Sequence, residues 1–156
     1  MMQLSERTLG DWLEHWAATT PDKEYIVYSD RNLRFTWKQF NERVDNLAKG
    51  LLSIGVEKGT HVGIWARNVP DWLTFLYACA KIGAVAVTVN TNYKQAELEY
   101  LCQNSDMHTL CIVDGEKDRS FVDMTYIMLP ELKTFQRGHL KSKRFPYMRN
   151  VIYIGQ

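Results

Sequence analysis

Helical patterns alternate with short apolar runs across residues 35–105, and this alternation constrains the fold more than any other feature of the chain. The first helical pattern carries a single apolar stripe over residues 40–54. The two apolar runs read HVGIWA (61–66) and AVAVTV (84–89), and β-branched residues dominate the second. Strands that alternate with helices are typical of wound α/β sheets, in which helices connect parallel strands. The stretch therefore predicts an α/β fold.

The same alternation continues towards the C-terminal residues. TLCIVD (109–114) reads as a strand, residues 121–132 as an amphipathic helix in which Pro130 is a poor fit, and VIYIG (151–155) as a final strand. From residue 33 onward the predicted order is βαβαβαβαβ, which gives five strands. Right-handed crossovers would place helices on both faces of a mostly parallel wound sheet, with AVAVTV covered on both faces.

A helix and a hairpin are expected to precede this sheet, within residues 1–34. Thr8 can cap the helix, with Asp11 at the reciprocal capping-box position. EYIVYS (24–29) and LRFT (33–36) are rich in β-forming residues and flank a polar turn, so together they predict a hairpin.

Local signals also predict how the later helices begin, end and pack. Thr36 with Gln39 forms a second capping box, and Asn68 and Asn92 are candidate caps of the next two helices. A glycine follows the helix that starts after Thr36 and the helix that starts after Asn68, and each is expected to end its helix. We expect the stripe of the first helix to be buried beside Val62 and Ile64; its members here are Phe40, Val44, Leu47 and Leu51.

Composition and charge fit an ordinary globular protein, with 46% apolar and 24% charged residues in 156 and a net charge of +1. No acidic residue follows Glu131, whereas six of the 19 basic residues do, so residues 1–131 contain 13 basic and all 18 acidic residues. A solvated loop is the favoured interpretation of this basic segment over a phosphate contact. Nucleic acid is not expected as a partner.

The cysteines and the N-terminal residues bear on the compartment. Cys79, Cys102 and Cys111 have no zinc-site spacing, lie within helix or strand patterns and are expected to be core thiols. Their odd number favours a reducing compartment. The first residues lack a signal-peptide pattern and no run reaches transmembrane length, so a cytoplasmic location is expected.

The residues by themselves indicate no reaction. Neither G-x-x-x-x-G-K-[ST] nor G-x-G-x-x-G occurs, and the four histidines have no metal-ligand spacing. Glu97 and Glu99 are two residues apart and do not share a helix face. No catalytic residue and no metal ligand is therefore predicted.

Three ordered segments nevertheless resemble the N-terminal region of AMP-binding acyl-CoA synthetases, a branch of the adenylate-forming superfamily. Residues 35–64 match a pattern of Thr-aromatic, Ala-x-x-Leu and Gly-Val-x-x-Gly-x-x-Val-x-Ile. Residues 66–90 match Lys-x-Gly-Ala followed by a strand ending in Val-x-Asn, and residues 92–106 match Tyr-x-x-x-Glu-Leu-x-Tyr-x-Leu-x-x-Ser. An asparagine at position 90 resembles the pattern of fatty or aryl acyl-CoA synthetases more than that of peptide-synthetase adenylation domains.

This resemblance implies an ATP-dependent acid–CoA ligase. Such enzymes convert a carboxylic acid, here expected to be a fatty acid, into an acyl-adenylate and then a CoA thioester, with Mg²⁺ as cofactor. The family's phosphate loop and its C-terminal lysine have no counterpart in residues 1–156. The chain is thus expected to be the N-terminal part of the large domain, truncated before the phosphate loop and inactive alone. We also expect weak ATP and CoA binding and possible homo-oligomer formation through truncated surface. The alternative is a standalone, non-catalytic α/β binding or scaffolding module.

The family also suggests five cofactor-binding residues. The resemblance places Asn90, Thr91 and Asn92 at the CoA nucleotide, with Lys117 and Arg119 near its 3′-phosphate. The competing interpretation, which common helix-cap statistics favour, is that residues 90–92 only turn the chain and cap a helix.

Overall fold

The computed structural model describes residues 6–113, 115 and 119–154. Their helices are α1 (Leu9–Thr19), α2 (Trp37–Ser53), α3 (Pro70–Ile82), α4 (Gln95–Asn104) and α5 (Phe121–Met128). Their strands are β1 (Glu24–Tyr28), β2 (Leu33–Thr36), β3 (His61–Trp65), β4 (Val85–Thr88), β5 (Thr109–Val113) and β6 (Asn150–Ile154). Short 3₁₀ turns occupy Ser29–Arg31 and Pro130–Lys133, so the predicted last helix ends before its proline.

A four-stranded parallel sheet in the order β4-β3-β5-β6 forms the centre of the fold, which confirms the α/β prediction. The five-strand count was wrong, because β2 pairs antiparallel with β1 in a separate hairpin. Only the short turn at Ser29–Arg31 separates these two strands, and such a connection brings neighbouring strands together antiparallel. The N-terminal helix and hairpin are present as predicted.

Helices cover both faces of the sheet. Val62, Ile64 and Cys111 belong to one buried cluster with residues of α1, α2 and α3. Leu110 and Ile112 face the other way, into a cluster with residues of α4 and α5. Alternate residues of a strand point to opposite faces, so the period of two in β5 divides the core into these two layers.

Helix α2 begins with the predicted capping box and packs most of its predicted stripe. Thr36 Oγ1 accepts from the Gln39 amide, and Gln39 Oε1 accepts from the Thr36 amide. Phe40, Val44 and Leu51 are at most 1% exposed. Leu47 is only half-buried, and Ala48 is buried in its place. At 3.6 residues per turn, residues 47 and 48 lie on opposite sides of the line through 44 and 51, so packing against neighbouring elements, not the helical period, decides which of the two is buried.

Two predicted caps were wrong. Val69, not Asn68, precedes α3, because Pro70 takes the first helical position and holds the residue before it in an extended conformation. Lys94, not Asn92, precedes α4, since Glu97 Oε2 accepts from the Lys94 amide.

The expected two-sided burial of the AVAVTV run was also wrong. Strand β4 lies at the edge of the described sheet, and Val85 is 43% exposed. A continuous β-branched run is therefore compatible with an edge position as well as a central one.

A lysine joins the three helices on one face. The Lys81 ammonium on α3 donates to Glu14 Oε1 of α1 at 2.9 Å, and to Asn41 Oδ1 and Asp45 Oδ1 of α2 at 2.8 and 2.6 Å. Its side chain is only 9% exposed, while that of Glu14 is 62% exposed. The ammonium therefore uses three donors on three acceptors at the junction of α1, α2 and α3.

The three cysteines are free and buried, as predicted. Burial raises the pKa of Cys79 to about 11 and that of Cys102 to about 12, and it also raises the pKa of Cys111. These thiols are thus protonated at neutral pH and serve as apolar core groups. Among the described helices, none combines the length and the apolar character needed to cross a bilayer.

Candidate functional site

The loops that leave the carboxyl ends of the sheet strands border a polar cavity of about 600 Å³. We call it the rim cavity. Open α/β sheets bind ligands at this edge, and the volume lies within the range of ligand sites. Its walls come from the β1–β2 hairpin, the loop after β3, the loop after β4 and the end of β5; the lining residues are Tyr28, Asp30, Arg31, Ala66, Arg67, Asn68, Val69, Thr91 and Val113.

The loop after β4 is a tight turn built around Asn90. The Asn90 Oδ1 atom accepts from the Asn92 amide at 2.9 Å, and the Asn90 carbonyl accepts from the Tyr93 amide at 3.1 Å. Asparagine favours such turns because its side chain can replace a backbone acceptor. The turn leaves Asn90 and Asn92 exposed and Thr91 half-buried. Turning the chain is thus a role of Asn90 in the structure, whereas capping α4 is not a role of Asn92.

Arg119, which follows β5, contacts this turn directly. Its Nη1 atom donates to the Thr91 carbonyl at 3.0 Å, and the arginine is half-buried. Two of the five residues suggested for CoA binding are therefore in contact, and among the four of them that the structure describes, only Thr91 lines the rim cavity. Lys117 lies outside the described residues.

A second arginine connects the loop after β3 to the segment after β5. The Arg67 Nη2 atom donates to the Gly115 carbonyl at 3.0 Å. A side chain at residue 115 would clash there, because a Cβ atom built on Gly115 falls 1.9 Å from the Arg119 carbonyl oxygen. Only glycine at position 115 therefore allows the backbone to lie this close to the Arg119 carbonyl.

Sequence reasoning missed Arg31, Arg67 and Asn68 as lining residues. Arg67 and Asn68 directly follow β3, so the rule that picked the residues after β4 and β5 applies to them equally. Arg31 carries no such signal, because its position depends on how the hairpin packs beside the sheet.

An apolar cleft adjoins the rim cavity. It has a volume of about 340 Å³ and shares Tyr28, Asn68 and Val69 with the rim cavity. The remaining lining is mostly apolar and comes from β1 and the start of α3; these residues are Ile26, Val27, Pro70, Trp72 and Leu73.

The rim cavity is suited to binding anions rather than to catalysis by its own side chains. The lining includes two guanidinium groups, of Arg31 and Arg67, and one carboxylate, of Asp30, to which Ser29 Oγ donates at 3.4 Å. Arginine matches phosphate and carboxylate geometry with paired donors. In the part of the chain that the structure describes, no three His, Cys, Asp or Glu side chains are grouped as a metal site would require.

Residues 13–142 match the family model described as "AMP-binding enzyme". The chain belongs to the AMP-binding enzyme family. Its solved structural neighbours include a putative long-chain-fatty-acid CoA ligase from Rhodopseudomonas palustris, with a TM-score of 0.77 and 24% identity over 98% of this chain and 34% of that one. The N-terminal domain of FACL13 from Mycobacterium tuberculosis, solved with an inhibitor, gives a TM-score of 0.76 at 20% identity over 95% of this chain and 33% of that chain.

Curated relatives carry acyl-CoA synthetase names. The putative acyl-CoA synthetase YngI of Bacillus subtilis is 46% identical over 155 residues, which are 99% of this chain and 28% of the relative. The mitochondrial medium-chain acyl-CoA ligase ACSF2 of Bos taurus is 35% identical over 98% of this chain and 25% of its own length. This chain therefore spans about a quarter of the length of these relatives.

Proposed function

We propose that this chain is the N-terminal part of the large domain of an ATP-dependent carboxylic acid–CoA ligase. In the proposed reaction, the acid carboxylate displaces pyrophosphate from ATP to form an acyl-adenylate. The CoA thiol then displaces AMP and forms the thioester. The observation that carries this proposal is the family match over residues 13–142. Relatives named acyl-CoA synthetase and medium-chain acyl-CoA ligase support a fatty acid as the substrate.

Within that reaction, we assign the rim loops to CoA. Residues 90–92, Lys117 and Arg119 would form one wall of its nucleotide site. The support is that residues 90–92 and Arg119 meet at the carboxyl edge of the sheet, where a hydrogen bond joins Arg119 to Thr91. Mg²⁺ would neutralise phosphate charge during adenylation, but the described residues offer no grouped ligands for it.

The chain alone is expected to be inactive and to bind ATP and CoA weakly. Adenylation needs preorganised positive charge around the leaving pyrophosphate, and no phosphate loop or adenylation lysine is recognised in residues 1–156. We further propose a cytoplasmic location and self-association of the isolated chain.

The test is an acid-dependent ligase assay on the whole protein and on residues 1–156. Each is incubated with ATP, Mg²⁺, CoA and fatty acids of graded length, and pyrophosphate and thioester are measured. We expect both products from the whole protein and neither from the chain alone. A whole protein that forms no adenylate and no thioester with any acid would contradict the ligase proposal and favour a non-catalytic binding module.

The assignment of the rim to CoA has its own test. Changing Lys117 and Arg119 together to alanine in the whole protein should raise the KM for CoA and leave ATP–pyrophosphate exchange intact. The matched control changes Arg137 and Lys141 to alanine; both are exposed cations in the basic segment. Loss of exchange with an unchanged KM for CoA would contradict the assignment.

A further inference from the structure

Two arginines, Arg31 and Arg67, line the rim cavity, and a third, Arg119, contacts the lining residue Thr91 from outside the lining set. Arg119 is half-buried and donates to the Thr91 carbonyl, and Arg67 donates to the Gly115 carbonyl. Arg31 lines the same cavity, is exposed, and has no hydrogen bond or ion pair with any residue that the structure describes. A guanidinium that already serves a backbone carbonyl has fewer donors left for a ligand, whereas Arg31 has all of its donors available.

Arg67 and Arg119 both donate to backbone carbonyls rather than to side chains. Arg67 connects the loop after β3 to the segment after β5, and Arg119 connects that segment to the turn after β4. The three loops are therefore linked in series, through Gly115 and Arg119 of the segment after β5. Such contacts hold the loops in place and so fix the shape of the site.

We propose that Arg31, on the β1–β2 hairpin, is the anion-binding residue of the rim cavity, and that Arg67 and Arg119 are positioning residues. The ligand class is a phosphate monoester of a nucleotide, which guanidinium binds through paired donors. This inference rests on the proposed function and reassigns Arg119 within it: Arg119 acts on the ligand through the Thr91 turn, and the hairpin supplies the direct charge.

Charge in the cavity is consistent with this division of roles. Asp30 also lines the cavity and opposes an anion, but its carboxylate is outnumbered by the guanidinium groups of Arg31 and Arg67. Arg31 is exposed, so its contribution is screened by salt and is modest in size. We therefore expect Arg31→Gln to weaken binding by about three- to tenfold.

The experiment measures binding and loop order separately, in the same protein. Residues 1–156 labelled with ¹⁵N are titrated with adenosine 3′,5′-bisphosphate to millimolar concentration, with adenosine as the uncharged control, and chemical-shift changes give the affinity. Amide hydrogen exchange at Asn92 and Tyr93 reports on the turn, because both amides donate to Asn90. Arg137→Gln is the matched control, since Arg137 is an exposed cation far along the chain in the basic segment.

Two different patterns are expected. Arg31→Gln should weaken the bisphosphate without changing exchange at Asn92 and Tyr93, and Arg31→Lys should retain part of the affinity. Arg119→Gln should accelerate exchange at these amides as well as weaken binding, and Arg119→Lys should partly restore both. Arg137→Gln should change neither quantity.

Three results would overturn the inference. They are unchanged affinity in Arg31→Gln, weaker binding in Arg119→Gln with unchanged exchange, and absence of bisphosphate-specific shifts in the unmodified chain. None of these results decides the ligase proposal, which depends on thioester formation by the whole protein.

Discussion

Replacing Leu51 with alanine tests how α2 is attached to the sheet. Leu51 is 1% exposed and belongs to the buried cluster that includes Val44 and Val62. Removing a fully buried leucine side chain costs transfer free energy and leaves a cavity, so we expect a loss of about 3 kcal/mol, within roughly 2–5. For a chain of this size, that loss lowers the melting temperature by roughly 6–12 °C.

The adjacent residue supplies the control. Leu52 lies on the same helix and is 51% exposed, so Leu52→Ala should change the free energy of unfolding by less than about 0.5 kcal/mol. Leu47→Ala should fall between the two, because Leu47 is half-buried. Urea unfolding monitored by circular dichroism gives all three values on one scale. Equal losses for Leu51→Ala and Leu52→Ala would refute the burial pattern assigned to α2.

Two further predictions concern backbone conformation and pH. Gly83 ends α3 with a φ of +72°, so Gly83→Ala should lower the free energy of unfolding by about 1–2 kcal/mol. Gly50 lies within α2, and a Cβ added there would meet open space, so Gly50→Ala should raise the free energy of unfolding by about 0.5–1 kcal/mol. Urea unfolding of both variants checks the signs, and equal signs would contradict them. Burial, with a smaller contribution from Arg149, lowers the pKa of His108 below its ordinary 6.5. The unfolded chain therefore binds this proton more readily, and the stability present above about pH 6.5 is lost as the pH falls through the folded pKa. His108→Gln should reduce this loss in urea titrations at several pH values, and an unchanged pH profile would count against it.

Local signals predicted most of the fold. The capping boxes at Thr8 and Thr36 and the stripe of α2 depend on spacing within a few residues, and the structure contains them. The predicted helix starts were wrong where a proline or a neighbouring turn, rather than the candidate cap, decides where the helix begins. Pro70 moved the start of α3 past Asn68, and the Asn90 turn with Lys94 and Glu97 moved the start of α4 past Asn92. The β1–β2 hairpin was predicted, but β2 was also counted among the strands of the parallel sheet, whereas the structure places it in the separate two-stranded hairpin.

The sequence predicted that two loops of the candidate site lie together, but not the contacts within them. The rule that parallel strands end at one edge correctly brought Thr91 and Arg119 together. It could not show that Arg119 binds a carbonyl, because the direction of a long side chain depends on its neighbours. Nor could it place Arg31 at the cavity, since that requires the packing of the hairpin against the rest of the chain.

The junction at Lys81 has a consequence for substitutions that look conservative. An ammonium group directs three hydrogens tetrahedrally, and here it meets acceptors on two different helices, α1 and α2. A guanidinium has more donors, but they are spread over three nitrogens in one plane, so it cannot reproduce three hydrogen bonds made from a single nitrogen. An arginine at position 81 would therefore keep the positive charge but not the hydrogen-bond geometry. Both properties of the lysine matter at this junction.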